Sequence, residues 1–290
     1  MSEKIAFLTG ASGYIGSHLL TRLLAEGWTV HVLARKNYPR NQQAIIHLYD
    51  GSIESVICAM KNAKPQTVFH LASLYLTEHQ EKDIADLVNS NILLGTQVLE
   101  AMTQFGVEQF VNAGTAWQQF SEFNANPVNL YAATKQGFEA IINYYADAKN
   151  ISAVTLKIFD TYGPNDWRPK LVNLLIARAK SGERIDLSPG EQKIHLVHVD
   201  DVVNAFLMAQ YHLEGSSKGK HQVYCLPSAR PYSVIELVQM IEELGGRPIY
   251  AKWGARSYRN REVMHPWLAE DVLNGWEEKI DLRTGIGSLI

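Results

Sequence analysis

With 290 residues, 46% hydrophobic and 20% charged, and a mean hydropathy of −0.14, the chain has the composition of one large packed domain, or of one with a smaller partner, and not of a disordered polymer. Lys plus Arg number 27 against 30 for Asp plus Glu, a net charge of −3. That balance gives no general pull toward the phosphates of nucleic acid, and none is expected as a partner.

Cys58 and Cys225 stand far apart with no metal-ligand spacing around them, which excludes a disulfide framework and a thiolate zinc site and fits a reducing compartment. Met1 to Lys4 leads straight into an apolar strand without a signal-peptide core, and no run of about 18 apolar residues occurs. The expectation is a cytoplasmic protein with no membrane partner.

Along the chain, Ile5 to Thr9 reads as a strand, Gly10, Gly13 and Gly16 as a turn, and Tyr14 to Ala25 as a helix. Further strands are predicted at Thr29 to Ala34, about Ala44 to Tyr49, Thr67 to Ala72, Gln109 to Ala113 and Ser152 to Phe159. Helices are predicted near Ile53 to Lys61, from about Asp83 to Phe105, and over Leu130 to Ala148. Apolar strands alternating with helices specify an α/β fold, a Rossmann-type doubly wound parallel sheet covered on both faces. After Phe159 the pattern breaks at Pro164, Pro169 and Pro189. Helices follow at about Lys170 to Lys180, Asp200 to Tyr211 and Val234 to Leu244, with a short strand at Val223 to Leu226, a basic aromatic stretch from Trp253 to Arg261 and a closing helix.

The turn reads Thr9, Gly10, Ala11, Ser12, Gly13, Tyr14, Ile15, Gly16, with glycines spaced GxxGxxG between strand and helix. In such a turn the first glycine permits the sharp bend, the second lets a diphosphate approach the backbone, and the third lets helix and sheet lie close. The N–H groups at the helix start then face the phosphates. An acidic residue at the end of the second strand would read the ribose of NAD, but the strand ends in Arg35 and Lys36, with Arg40 soon after. Cations there suit the 2′-phosphate of NADP, so NADPH is the expected cofactor.

Tyr131 and Lys135 lie four apart on the helix predicted from Leu130, and so project from one face. The spacing alone is weak, since Tyr145 and Lys149 repeat it. Position separates the pairs: the helix start lies at the carboxyl edge of a parallel sheet, where ligands bind, and Tyr145 falls about 21 Å further along the axis. Thr115, just after the fifth strand, is predicted at the same edge. Tyr131 would then protonate a carbonyl oxygen as hydride reaches its carbon, with a pKa lowered by the Lys135 ammonium. Lys135 would also hold the cofactor ribose, and Thr115 would hydrogen-bond the same oxygen.

These motifs resemble those of the extended short-chain dehydrogenase/reductase family, the nucleotide-sugar epimerases, dehydratases and reductases. TGASGYIG (9–16), VFHLAS (68–73), SNILLGT (90–96), YAATK (131–135), YGP (162–164), HVDDVV (198–203) and GW (275–276) carry the resemblance over almost the whole chain. It implies further cofactor contacts from Asp50, Gly51, Leu71, Ala72, Ser73, Asn91 and Phe159. It also implies a cofactor domain of residues 1–165 that receives about 195–227, a nucleotide-sugar domain of 166–194 and 228–290, and a homodimer.

Within that resemblance, Ala116 and Trp117 replace the Asp-Glu pair that dehydratases of the family use, so sugar dehydration is disfavoured. Arg35 and Lys36 argue for exchanging NADPH, and hence for a reductase. Asp160 stands where many members have an Asn that touches the diphosphate, and Ile194 where many have Arg, leaving Arg168, Lys170, Lys193, Arg256 and Arg259 as candidate diphosphate contacts. Tyr75, Trp117, Phe159 and Trp167 are expected to shape the sugar pocket. FHLASLYLTEH, NAGTAWQQ, FDTYGPNDWRPK and SPGEQKIHLVHVDD most resemble the abequose-synthase type of CDP-sugar 4-reductase. The expected activity is therefore NADPH-dependent reduction of the 4-keto group of a nucleotide-linked deoxy sugar for surface polysaccharide, with CDP as the first choice and GDP or dTDP as others. The competing readings are a 4-epimerase with permanently bound NAD and a non-catalytic NADP(H) sensor. His70, His195 and His198 lack a second ligand at i+4, and no metal is expected.

Overall fold

The computed structural model describes residues 4–36, 43–120, 126–215, 218–267 and 271–290. Arg40 lies outside them. The first half alternates strands and helices: β1 (Ile5–Thr9), α1 (Tyr14–Ala25), β2 (Thr29–Ala34), β3 (Ile45–Leu48), α2 (Ile53–Ala63) and β4 (Thr67–His70). There follow α3 (Ile84–Val88), α4 (Leu94–Phe105), β5 (Gln109–Thr115), α5 (Leu130–Lys149) and β6 (Ser152–Ile158). The second half holds β7 (Asp160–Tyr162), α6 (Leu171–Ser181), β8 (Ile185–Asp186), β9 (Lys193–Ile194), β10 (Leu196–His198) and α7 (Val199–Glu214). It closes with β11 (His221–Leu226), β12 (Tyr232–Ser233), α8 (Val234–Gly245), β13 (Ala251–Lys252) and α9 (Leu282–Gly287).

Seven strands form one parallel sheet in the order β11-β6-β5-β4-β1-β2-β3. This is the doubly wound arrangement, with the strand order reversing between β1 and β4. Ligands bind outside the carboxyl ends of the strands at such a switch point. One face of the sheet packs on α1 and α7 through Leu19, Leu23, Val202 and Phe206; the other packs on α2, α4 and α5 through Met60, Val98, Phe138 and Ile142. A separate core joins α6, α8 and α9 through Leu175, Leu237, Ile241 and Ile286, with Tyr162 and Leu196 at its seam with the sheet layer. Full burial of each such aliphatic side chain stabilises the fold by about 1.5–3 kcal/mol.

The helix predicted from Asp83 to Phe105 is not continuous. A 3₁₀ turn at Glu81–Asp83 leads into α3, and a π-helical turn at Asn89–Leu93 separates α3 from α4. Apolar periodicity cannot register that extra residue, which is set by one buried side chain. Asn91 accepts from Ser73 Oγ (3.0 Å) and Leu74 N (2.8 Å) and donates to Leu74 O (3.1 Å) and Thr134 Oγ1 (2.9 Å). A π turn re-aims a residue in this way, often at a functional site.

β4 also ends two residues earlier than expected, because Ala72 N donates to Thr9 Oγ1 at 3.2 Å instead of continuing the ladder. β5 runs two residues further than expected, so that Thr115 is its last residue. The short strands β7, β8, β9, β10, β12 and β13 were not predicted; apart from the β10–β7 pair they lie in two-residue ladders, too brief to show alternation in sequence.

Candidate active site

The switch point is built from the glycine turn after β1 and the segment after β4. Gly10 has φ of +78°, and a Cβ there would strike the Leu71–Ala72 backbone; a Cβ on Gly16 would strike the Gly10 carbonyl oxygen. Gly13 N donates to Gly10 O at 2.9 Å, and Gly13 caps α1 without any side-chain bond. The first and third glycines thus close the turn. The exposed Ser12 and Gly13 leave the start of α1 open. Tyr14 serves the turn through its backbone, since its ring is buried and its hydroxyl donates to Pro164 O at 3.1 Å. Ile15 packs against the sheet core.

At the end of β2, Arg35 and Lys36 are exposed and no carboxylate stands beside them in the sequence; among the described residues neither forms an ion pair. Asp50 follows β3 and accepts from Ser52 N (2.8 Å) and Ser52 Oγ (2.6 Å), which hold its carboxyl below the usual range. The Gly51 carbonyl accepts from Gln97 Nε2 at 3.2 Å.

Tyr131 and Lys135 lie in the first two turns of α5, which Asn129 caps by accepting from Ala132 N at 2.9 Å. The Tyr131 ring meets Tyr75 edge-on at 5.1 Å between centroids. Burial pushes its phenol up to about 12, against the opposing pull of hydrogen bonds with Ser73 and Thr115. The expected lowering by the lysine does not prevail, because desolvation dominates. Tyr131 therefore keeps its proton at neutral pH.

Lys135 is 2% exposed, and its Nζ has no hydrogen-bond partner. Burial pulls it down to about 8, with Glu139 acting in the opposite direction. An unpartnered buried ammonium is costly to keep unless a ligand satisfies it. Together with the open start of α1, it fits a dinucleotide whose diphosphate lies on the glycine turn and whose ribose hydroxyls meet Lys135.

Residues beside Tyr131 form a second group. Lys170 Nζ pairs with Asp160 Oδ1 at 3.3 Å and lies 4.3 Å from the Tyr75 ring centre. Tyr75 faces Trp117 at 5.8 Å, and the Arg259 guanidinium lies 5.8 Å from the Trp117 ring. Asp160 is among the charges that raise the Tyr131 phenol, which puts this cluster next to the catalytic candidates.

Other predicted residues lie elsewhere or are engaged. Arg168 donates to Asp166 through Nε (2.7 Å) and Nη2 (2.8 Å) and to Thr161 O (2.9 Å), and it stacks 4.2 Å over Tyr14. Its guanidinium braces a loop, because a carboxylate two residues away outcompetes any distant anion. The Asn91 side chain is likewise fully used within the protein. Phe159 packs on His195 (4.8 Å) and Trp267 (5.7 Å), in a small cluster with Ala116. Lys193 and Arg256 are exposed; the Lys193 N–H donates to Met264 O at 2.9 Å and the Arg256 N–H to Leu187 O at 3.1 Å. Trp167 is 53% exposed and meets the Tyr14 ring edge-on at 5.9 Å between centroids.

Trp267 is buried, and its indole donates to Ala116 O at 2.9 Å across 151 residues, a contact with no local signal in the sequence. Gln118 and Glu139 were not among the residues expected at the site, although their spacing from Thr115 and Lys135 was legible.

Comparison with known proteins places this geometry. A CDP-abequose synthase of Yersinia pseudotuberculosis is 29% identical over 89% of this chain and 90% of its own length. A UDP-glucose 4-epimerase of Corynebacterium glutamicum is 25% identical over 96% and 92%. The solved structure of MoeE5 with UDP-glucose and NAD superposes with a TM-score of 0.81 at 26% identity, covering 97% of this chain and 96% of that one. The model of the NAD dependent epimerase/dehydratase family matches residues 6–224. The switch-point glycine turn, the tyrosine and buried lysine at the start of α5, and this match make the chain a member of the NAD dependent epimerase/dehydratase family, an enzyme acting on nucleotide sugars.

Proposed function

We propose that the protein is an NADPH-dependent reductase of the 4-keto group of a nucleotide-linked deoxy sugar, CDP-linked first and GDP- or dTDP-linked as alternatives, serving surface polysaccharide synthesis. The observation that carries this reading is the pairing of a Tyr131 phenol that keeps its proton with a buried, unpartnered Lys135 ammonium one turn away. A protonated phenol suits the direction in which a carbonyl becomes an alcohol. Arg35 and Lys36 support NADPH, since a guanidinium and an ammonium suit a 2′-phosphate. The likeness to CDP-abequose synthase supports the sugar and its nucleotide.

When bound, the reduced dinucleotide supplies hydride. Gly10, Ser12, Gly13 and the backbone of Tyr14 and Ile15 would hold its diphosphate, Asp50 and Gly51 its adenine end, Leu71 to Ser73 its inner face, and Lys135 its ribose. Tyr131 gives its proton to the carbonyl oxygen, and the Thr115 hydroxyl donates a hydrogen bond to that oxygen and stabilises the charge that develops there. Tyr75, Trp117 and Phe159 pack on the sugar and exclude water. Arg259, and Lys170 in its single 3.3 Å pairing with Asp160, which leaves further N–H groups of the ammonium to donate, meet the diphosphate of the substrate. Ala116 and Trp117 offer no carboxylate or other acid–base group, so water is not removed from the sugar.

The test is to supply a CDP-linked 4-keto-3,6-dideoxy sugar with NADPH and follow the loss of reduced cofactor. Turnover, with NADPH preferred over NADH, supports the proposal. A protein that purifies with non-exchanging NAD and interconverts UDP-glucose and UDP-galactose overturns it. That second reading is favoured by the UDP-glucose 4-epimerases that match across nearly the whole chain. We also place the enzyme in the cytoplasm as a homodimer, with Ile84, Val88 and Leu93, which are 45%, 40% and 42% exposed, facing the second copy; a monomeric mass in solution would refute the dimer.

A further inference from the structure

Glu139 is a carboxylate only 6% exposed, on α5 one turn beyond Lys135. Gln118 Nε2 donates to its Oε1 at 2.6 Å, and Gln136 Nε2 reaches its Oε2 at 3.4 Å. The other end of the Gln118 amide accepts from Thr115 N at 2.9 Å. One glutamine therefore bridges the end of β5 to a buried negative charge, and that charge stands on the same helix as an ammonium without a hydrogen-bond partner.

We propose that Glu139 is a positioning residue: its carboxylate, clamped by Gln118 and Gln136, is the counter-charge that keeps the buried Lys135 ammonium protonated, and through Gln118 it fixes the Thr115 backbone relative to that ammonium. The proposal rests on the reading of Tyr131 and Lys135 as the reacting pair, but its test does not depend on turnover. Burial alone disfavours the charged form of a lysine. Residues four apart on a helix are neighbours, so a carboxylate at that spacing acts on the ammonium at short range even without direct contact.

Other groups face this pair. His70, from β4, is fully buried with its Nδ1 against Thr9 Oγ1 at 2.9 Å; burial drives it down to about 3, and it stays neutral. Cys225 on β11 is a buried thiol that Glu139 and Lys157 influence in opposite directions, and it also stays neutral. Glu139 is thus the charged neighbour that opposes the desolvation of Lys135.

The experiment is a pH titration of the Lys135 side chain by carbon NMR in protein labelled at lysine Cε, the signal assigned by its loss in Lys135→Met. In Glu139→Gln, which keeps the size and a hydrogen bond to Gln118, the Lys135 midpoint should fall by about one pH unit. NADPH affinity measured by fluorescence at pH 8 should weaken several-fold and recover at pH 6. Glu139→Asp should restore most of the midpoint shift, which also guards against a folding defect in the first variant. An unchanged Lys135 midpoint in a folded Glu139→Gln protein overturns the proposal, whatever the substrate. A shifted midpoint in a protein that reduces no keto sugar leaves the proposal standing and overturns the reductase reading instead.

Discussion

Helix α5 carries Tyr and Lys four apart at both ends, and the two pairs occupy different surroundings. At its start, Tyr131 opens onto Tyr75, Ser73 and Thr115, while Lys135 is buried and unpartnered. At its end, the Tyr145 hydroxyl donates to Glu100 at 2.8 Å, its ring packs in the core beside Tyr144, and Lys149 is exposed to solvent. The spacing is shared, yet only one copy sits at the carboxyl edge of the sheet, where strand ends and the glycine turn bring further groups to it. Equal spacing on one helix thus supports reactivity at one end and ordinary packing at the other.

The sharpest way to break this contrast is to remove each hydroxyl. Tyr131→Phe should lower kcat by about 10²–10⁴-fold, as expected for loss of a proton donor, with little change in Tm. Tyr145→Phe should leave kcat within about twofold and cost only about 1 kcal/mol of stability through the lost bond to Glu100. Steady-state kinetics and thermal melts on the two variants decide it, and equal kinetic losses would erase the distinction between the ends.

The lysines give a second contrast with opposite signs for activity and stability. Lys135→Met should reduce kcat/KM at least about 10²-fold while raising stability near pH 7, because the desolvation of the buried ammonium outweighs the attraction of Glu139, which has its own hydrogen bonds from Gln118 and Gln136. The lysine falls from its ordinary 10.5 to about 8 in the folded chain. Below pH 8 both folded and unfolded chains hold the proton and the full penalty applies, of the order of 3 kcal/mol. Between 8 and 10.5 the unfolded chain holds more protons, so wild-type stability rises with pH, and above 10.5 the advantage of Met vanishes. Denaturant melts across that range measure it. Lys149→Met, at an exposed position, should change stability by less than about 0.5 kcal/mol at any pH.

A smaller effect follows for the pH profile. Since Tyr131 stays protonated to about 12, the alkaline fall in kcat/KM should follow Lys135, with a midpoint near 8. A profile flat to pH 10 would mean that the ammonium is not needed.

Much of the site was legible because its signals are local. The glycine turn must lie between an apolar strand and an amphipathic run, and the sterics of Gly10 and Gly16 demand those residues at those places. Thr115 and Tyr131 were placed at one sheet edge by the rule that helices run antiparallel to their strands. Arg168, a candidate diphosphate contact by sequence, is engaged by Asp166 and the Thr161 carbonyl, and nothing in its spacing says that they fold back onto it. Asn91 was expected at the cofactor, but four internal bonds use its amide and break a helix that periodicity draws as continuous. The acidity of the Tyr131 phenol also runs opposite to expectation, since a phenol near an ammonium was expected to become more acidic and burial outweighs that effect.

From the amino-acid order alone came the alternation of strands and helices, the parallel sheet, the position of the glycine turn and the placement of Tyr131 at the carboxyl edge of the sheet, because each depends on neighbours within a few residues or on a topological rule. Tertiary structure decided that Arg168 is engaged by Asp166, that Lys135 is buried against its ordinary preference for water, and that Trp267 packs onto Ala116. Those properties depend on distance and desolvation, which folding sets and sequence spacing does not record.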